Sequence, residues 1–278
     1  MGNLKGIEQT VNYGVALNKE KQLEKLLGNF KKVTVAFSGG TDSSYLLGKA
    51  LQVLGSENVQ AVTLKSALNP HQEVEEAASF ALKLGARHRI INIDFTAVPE
   101  FKDNTSERCY YCKRTFFSRI IKVSRGKGFH VVIDGSNADD INDHRPGMQA
   151  AEEMAIRSPL LEVSMGKEEI RCLSKQNDFS TWNKPSAACL ASRIPYGEEV
   201  TLEKLQKVAA AEYFLRGLGL INDLRVRCHG NIARIEVNGC DLEVVITYRK
   251  EIDATLQRIG FTYVTLDLHG FESGSMNR

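Results

Sequence analysis

Two groups of residues in this chain have the types and spacing that chemistry requires. Residues 38–43 read Ser-Gly-Gly-Thr-Asp-Ser, directly after an apolar, β-branched run at 31–37 and directly before apolar residues at helical spacing. A turn there aims backbone N–H groups and the positive end of a helix at one point, and glycines let an anion approach the backbone closely. Ser38, Gly39, Gly40, Asp42 and Ser43 are therefore candidate anion-binding residues. The loop is neither GxGxxG nor GxxxxGK[ST], since it lacks the lysine that serves β- and γ-phosphates. An ordinary glycine turn is the competing reading.

The second group is thiols. Cys109 and Cys112 form CxxC, which turns both sulfurs to one side of a loop or first helical turn, and Cys189 sits in a later loop that could supply a third thiolate. CxxC alone leaves zinc, redox and iron–sulfur roles open. Structural zinc takes four protein ligands, and no fourth stands at a convincing spacing. A [4Fe–4S] cluster on three cysteines leaves one iron with an open position. Cys228 shares a strand face with Leu224 and Val226, Cys172 falls on an expected helix and Cys240 follows a glycine; these read as packing or incidental residues.

Arg225 and Arg227 stand two apart on one expected strand, so they point the same way. With Ser192 and Arg193 they could clamp a phosphate, which planar guanidinium groups suit. A solvated sheet face is the alternative, and Glu212 and Glu236 read as ordinary surface residues. Asp134 ends another expected strand and opens a polar loop running through Asn137, Asp139, Asp140, Asn142, Asp143 and Arg145. Carboxylates beside a polyphosphate commonly serve Mg²⁺.

The elements that must position these residues alternate. Strands are expected at 31–37, 59–64, 89–93 and 130–134, with helices after the glycine loop and at 71–84 and 111–125. That pattern gives an α/β domain with a parallel sheet, whose ligands bind outside the carboxyl ends of the strands. Ser38, Lys65, Ser66, Asp94 and Asp134 should emerge there. From about 181 the texture changes to a loop, a helix at 202–218, two strands around Gly230-Asn231, a helix at 242–259 and a strand at 262–266. The expected division is therefore 1–180 for the parallel-sheet domain and 181–278 for a smaller C-terminal α+β domain.

Composition narrows the function classes. The 278 residues are 42% hydrophobic and 25% charged, ordinary for a soluble globular chain of one or two domains. No apolar run is long enough to span a bilayer. Thirty-six basic and 34 acidic side chains leave +2, and residues 201–278 hold ten of each. A nucleic-acid partner is not expected from such a balance. The opening residues resemble neither a secretory leader nor a transit peptide, so the chain is expected in the cytoplasm, where six cysteines are not expected to form a disulfide framework.

The 38–43 loop resembles the SGGxDS loop of the PP-loop ATP pyrophosphatases. With CYYCKRTFFSR, NDHRPG, NKPSAACLASRIPYG, RVRCHGNIARIE and YVTLDLHGF, it makes nearly the whole chain similar to the LarE-type pyridinium-3,5-biscarboxylic acid mononucleotide sulfurtransferases. The resemblance implies a PP-loop domain that uses ATP and Mg²⁺ to adenylate a carboxylate of a pyridinium mononucleotide. The acyl adenylate is then converted to a thiocarboxylate, a precursor of the nickel-pincer cofactor of lactate racemase. It assigns the ATP phosphates and pyrophosphate to Ser38, Gly39, Gly40, Asp42 and Ser43, and the substrate phosphate to Ser192, Arg193, Arg225 and Arg227. Glu212, Glu236, Asp134 and Arg145 would lie near substrate or metal.

One branch of that family sacrifices the sulfur of a cysteine just before its SSR segment. Here Ala188 stands at that position and the cysteine is Cys189, while Cys109 and Cys112 flank the tyrosine pair. This combination resembles the branch in which three cysteines hold [4Fe–4S] and its open iron carries the transferred sulfide. The sulfide donor is not identified; the family also implies a homo-oligomer, a hexamer among its forms. The rival readings are a tRNA thiolase, an amide-forming synthetase, and a non-catalytic adenylate-binding regulator with structural zinc.

Overall fold

A computed structural model of the chain describes residues 12–95, 98–142, 146–185, 188–220 and 222–272. In chain order the elements are α1 Tyr13–Gly28, β1 Val33–Ala36, α2 Thr41–Leu54, β2 Val59–Lys65, α3 His71–Lys83 and β3 Arg87–Asn92. There follow α4 Pro99–Lys102, α5 Arg108–Arg125, β4 Val131–Ile133, α6 Pro146–Glu153, α7 Pro159–Glu162 and α8 Lys167–Gln176. The chain ends with α9 Leu202–Gly217, β5 Leu224–His229, β6 Ile232–Val237, α10 Leu242–Thr247, α11 Arg249–Ile259 and β7 Tyr263–Leu266. No helix among the described residues is long and apolar enough to cross a membrane.

The chain separates into two compact units, one of residues 1–65, 71–93 and 109–187, the other of 66–70, 94–108 and 188–278. In the first, four parallel strands lie in the order β3-β2-β1-β4. Alternation divides β1 between two apolar layers. Val33 and Val35 join one layer with Leu46, Leu47 and Ala50 of α2 and Ala77, Phe80 and Ala81 of α3. Ala36 joins another with Phe117 and Ile120 of α5 and Ala151 of α6. Since β1 connects to β2 on one side and pairs with β4 on the other, the carboxyl ends of β1 and β4 flank a topological switch point, where such sheets bind ligands.

In the second unit β5 and β6 are antiparallel and β7 runs parallel to β6. Gly230 and Asn231 form the expected two-residue hairpin, with Gly230 at φ 56°. The segments 66–70 and 94–108 join this unit through buried polar contacts. Leu190 N donates to Leu68 O at 3.0 Å. Asn104 Nδ2 donates to Pro195 O at 2.6 Å and Glu198 O at 2.8 Å, and Arg108 Nη1 donates to Asn104 Oδ1 and to Ala191 O.

Three local expectations change. The helix expected at 242–259 is two helices meeting at Tyr248, after the run Val244-Val245-Ile246-Thr247, whose β-branched side chains favour helix poorly. The helix expected from 111 begins at Arg108. Helices α1, α4 and α6 to α8 add to the expected set.

Candidate functional site

The backbone of the β1–α2 turn needs a glycine at the first of its two glycine positions. Gly39 has φ 77°, and a Cβ there would lie 2.7 Å from Ala77 Cβ. Gly40 is the residue before α2, with an ordinary φ of −78° and no side-chain cap to the helix N–H groups. The helix start thus presents donors that a bound anion would satisfy. Ser38 and Ser43 brace the turn: their hydroxyls are 3.0 Å apart, Ser38 N donates to Ser43 Oγ and Gly40 N donates to Ser38 Oγ. Gly135, just past β4, comes so close that its Cβ would meet Ser43 N at 2.9 Å.

A carboxylate pair stands at the same helix end. Burial, then repulsion from Asp140, pushes the Asp42 carboxyl above its ordinary range, against the pull of Lys167, Asn137 and Arg171. Asn137 Nδ2 donates to Asp42 Oδ2 at 3.2 Å, and Asn137 N donates to Asp140 Oδ2 at 3.1 Å. Two mutually repelling carboxylates beside a helix start that could take an anion fit a divalent cation. Asp134 is differently placed. Ser136 N and Oγ and Ser158 Oγ all donate to its carboxylate, so it braces the β4 loop. Arg145 and Asp143 lie outside the described residues.

A second strap, which the sequence pattern did not single out, holds the same loop. Thr41 Oγ1 donates to Thr181 O at 2.7 Å, and Lys184 Nζ donates to Gly39 O at 3.2 Å while pairing with Glu76 Oε2 at 2.9 Å. Phe179 seats this segment on α2, where a Cβ at Gly48 would be 2.2 Å from its ring.

In the second unit the arginines and glutamates come together, and neither set is a solvated face. Arg193, Arg225, Arg227, Glu212 and Glu236 are all buried, because β5 is covered on both sides. Arg193 grips Glu212 with Nε and Nη2 at 2.8 and 3.0 Å, and Val226 N donates to the same carboxylate. Its Nη1 donates to the carbonyls of Ala188 and Cys189 and to Ser192 Oγ, which folds the Cys189 loop around one guanidinium. Arg227 grips Glu236 at 3.0 and 2.7 Å and also donates to Ser192 O. Arg225 lies over the Phe271 ring, 5.0 Å from its centroid. Burial, then the nearby Arg193 charge, pushes its pKa down to about 10. Three guanidinium groups and two glutamates thus gather in one buried site.

Cys109 and Cys112 lie in the first turn of α5, three apart and therefore on one side, the former exposed and the latter half-buried; Cys189 is exposed. Within neither unit do three or more His, Cys, Asp or Glu side chains gather as a metal site among the described residues. Cys228 is fully buried, as its strand face implied.

The glycine-loop turn at a switch point of a parallel sheet defines the PP-loop class. A family model described as NAD synthase matches residues 18–119. Over 259 residues the chain is 40% identical to the pyridinium-3,5-bisthiocarboxylic acid mononucleotide synthase of Lactiplantibacillus plantarum, covering 93% of this chain and 94% of that one. It is also 40% identical over 263 residues to an uncharacterised protein of Synechocystis, covering 94% and 97%. An NH₃-dependent NAD⁺ synthetase of Methanopyrus kandleri matches over 78 residues at 37% identity, covering 26% and 28%. The chain belongs to the LarE family of pyridinium-3,5-bisthiocarboxylic acid mononucleotide synthases, and is a sulfurtransferase of the PP-loop ATP pyrophosphatase class.

Proposed function

We propose that this enzyme adenylates a carboxylate of pyridinium-3,5-biscarboxylic acid mononucleotide with ATP and converts it to a thiocarboxylate with sulfide from outside the chain, for nickel-pincer cofactor synthesis in the cytoplasm. The observation that carries the reading is that Cys109 and Cys189 stay exposed in a chain whose α2 start is shaped for phosphate. Exposure alone does not set these thiols apart, since Cys240 is exposed as well; the CxxC spacing on one side of α5 is what calls for a task.

The work of the residues divides by unit. Ser38, Gly39, Gly40, Asp42 and Ser43 bind the ATP phosphates through backbone N–H and hydroxyl groups at the start of α2. Asp42 and Asp140 would hold Mg²⁺, which when bound neutralises polyphosphate charge. The substrate carboxylate oxygen attacks the α-phosphorus, the bond to the bridging oxygen breaks, and its electron pair leaves with pyrophosphate. Arg225 and Arg227, with Ser192 and Arg193, orient the mononucleotide through its phosphate, while Glu212 and Glu236 hold the guanidinium groups in place. Cys109, Cys112 and Cys189 would hold a [4Fe–4S] cluster, which when bound supplies a carrier for exogenous sulfide. Addition of sulfide to the acyl carbon expels AMP and leaves the thiocarboxylate.

Protein reconstituted without oxygen and given sulfide, ATP, Mg²⁺ and the mononucleotide should turn over repeatedly with unchanged mass. Cys→Ser replacement of any of the three should stop sulfur transfer and spare substrate-dependent AMP release. A single turnover that leaves dehydroalanine in the chain would overturn the external-sulfide route. The homo-oligomer, a hexamer among its forms, is part of the same proposal, and sedimentation of the purified protein tests it.

A further inference from the structure

The PP-loop of this chain contains no lysine or arginine between Ser38 and Ser44, and it carries a negative charge of its own at Asp42. A triphosphate at the α2 start would therefore meet the Asp42 carboxylate, with Asn137 bridging it to Asp140. Helix-end N–H groups supply only a partial charge, roughly half an elementary unit. A cation at the turn itself would add to Mg²⁺ and to the Lys167 and Arg171 charges near Asp42 in balancing the pyrophosphate that leaves, whose charge grows as the α-phosphorus bond breaks.

One ammonium sits on the loop itself. Lys184 Nζ is 3.2 Å from Gly39 O and 2.9 Å from Glu76 Oε2, with its side chain only 19% exposed. Its backbone is fixed from both directions. Lys184 N donates to Thr181 O at 3.1 Å, and that same carbonyl accepts from Thr41 Oγ1 at 2.7 Å. Phe179, three residues before Trp182, packs against Tyr45 and Phe80. The strap thus moves with α2 and holds Nζ at the mouth of the turn. An ammonium has three donors, and the two acceptors named use two. Glu76 is half exposed, so its ion pair contributes little and a phosphate oxygen can take its place at little cost.

We propose that Lys184 is a catalytic residue of the adenylation step: its ammonium binds the β- and γ-phosphates and balances the charge on departing pyrophosphate. The proposal deepens the adenylation reading above and rests on it. No proton moves in this role; Lys184 stays charged while the electron pair of the breaking P–O bond passes to pyrophosphate. Gly39 O and Glu76 keep Nζ aimed at the turn between turnovers.

The test uses full-length protein and Mg²⁺-pyrophosphate as the probe, read by thermal shift and by product inhibition. Lys184→Ala should bind pyrophosphate at least tenfold more weakly than wild type and release AMP about 10²-fold more slowly, the usual effect of losing one charge-stabilising donor. Lys184→Arg should restore most of both. Glu76→Gln loses the same ion pair but keeps the cation, so its pyrophosphate affinity should equal or exceed that of wild type. A merely structural pair predicts the reverse: Lys184→Ala and Glu76→Gln melting lower together with pyrophosphate affinity unchanged. That outcome, or Lys184→Ala binding pyrophosphate within twofold of wild type, overturns the assignment. Absence of AMP release from wild type would overturn the adenylation reading, and pyrophosphate binding would still decide the role of Lys184.

Discussion

Gly39 and Gly40 are adjacent, yet the structure separates what each glycine is for, and a pair of alanine variants exposes the difference. Gly39 has φ 77° and a Cβ there would stand 2.7 Å from Ala77 Cβ, itself fully buried. An alanine in the left-handed region costs about 1–2 kcal/mol, and overpacking a buried contact costs about 1–3 kcal/mol more. Gly39→Ala should therefore lose about 2–5 kcal/mol, which at roughly 2–4 °C per kcal/mol for a chain of this size is a large fall in Tm. Gly40 has φ −78°, and its Cβ would meet only Ser38 Oγ at 3.5 Å. There alanine gains about 0.4–1 kcal/mol by restricting the unfolded chain and loses about as much at the residue preceding the helix. Gly40→Ala should melt with wild type, while kcat/KM for ATP falls about 10²-fold because the added methyl stands where phosphate approaches. Thermal melting and substrate-dependent AMP release measure the two effects separately. Full activity in Gly40→Ala would refute the phosphate cradle, and an unshifted Tm in Gly39→Ala would refute the backbone argument.

Asp42→Asn should abolish AMP release yet raise Tm at neutral pH. Burial and Asp140 raise the folded pKa of Asp42, so its penalty is absent below the unfolded pKa and grows as pH rises through the folded one; a pH series in which the Asn advantage persists in acid would contradict this. Glu212→Ala strands the buried Arg193 guanidinium and should cost about 3–5 kcal/mol in denaturant melts, with Arg193→Met in the same chain recovering part of the loss. Arg225→Ala should raise the mononucleotide requirement about 10- to 100-fold, the worth of a charge-assisted hydrogen bond, with KM for ATP unchanged; equal weakening toward both would place Arg225 elsewhere.

What the sequence made legible is what local rules control. The β1 run, the glycine turn and the α2 periodicity are contiguous, and they place Ser38 to Ser43 without any tertiary information. The two-residue turn at Gly230-Asn231 even fixes a register, since it forces Arg225 opposite Glu236 and Arg227 opposite Arg234. The pairing that decides burial was not local. Glu212 meets Arg193 from another element, and a lone glutamate in Leu202–Gly217 reads as surface until that partner is found. Asp140 was one acid among several in a polar loop. Only its approach to Asp42, 98 positions earlier, distinguishes it from Asp134, whose oxygens are filled by serines. Lys184 follows the expected boundary at 181, yet it bonds the loop at Gly39.

Net charge fails as a guide to this protein for a related reason. Ten bases and ten acids in residues 201–278 argue against a polyanion, whose many phosphates need an extended basic surface. A phosphate monoester needs far less, only a local surplus of guanidinium at one buried point. Arg193 and Arg227 are held by Glu212 and Glu236, and the carboxylates that keep them in geometry also cancel their charge in any count. Arg225 is buried beside them, and its pKa is pushed down first by burial and then by the Arg193 charge, which a bound phosphate would offset. A neutral balance is therefore compatible with the monoester site proposed for the second unit, and the phosphate site proposed for the first would likewise draw on backbone N–H groups at the α2 start, beside the Lys184 ammonium.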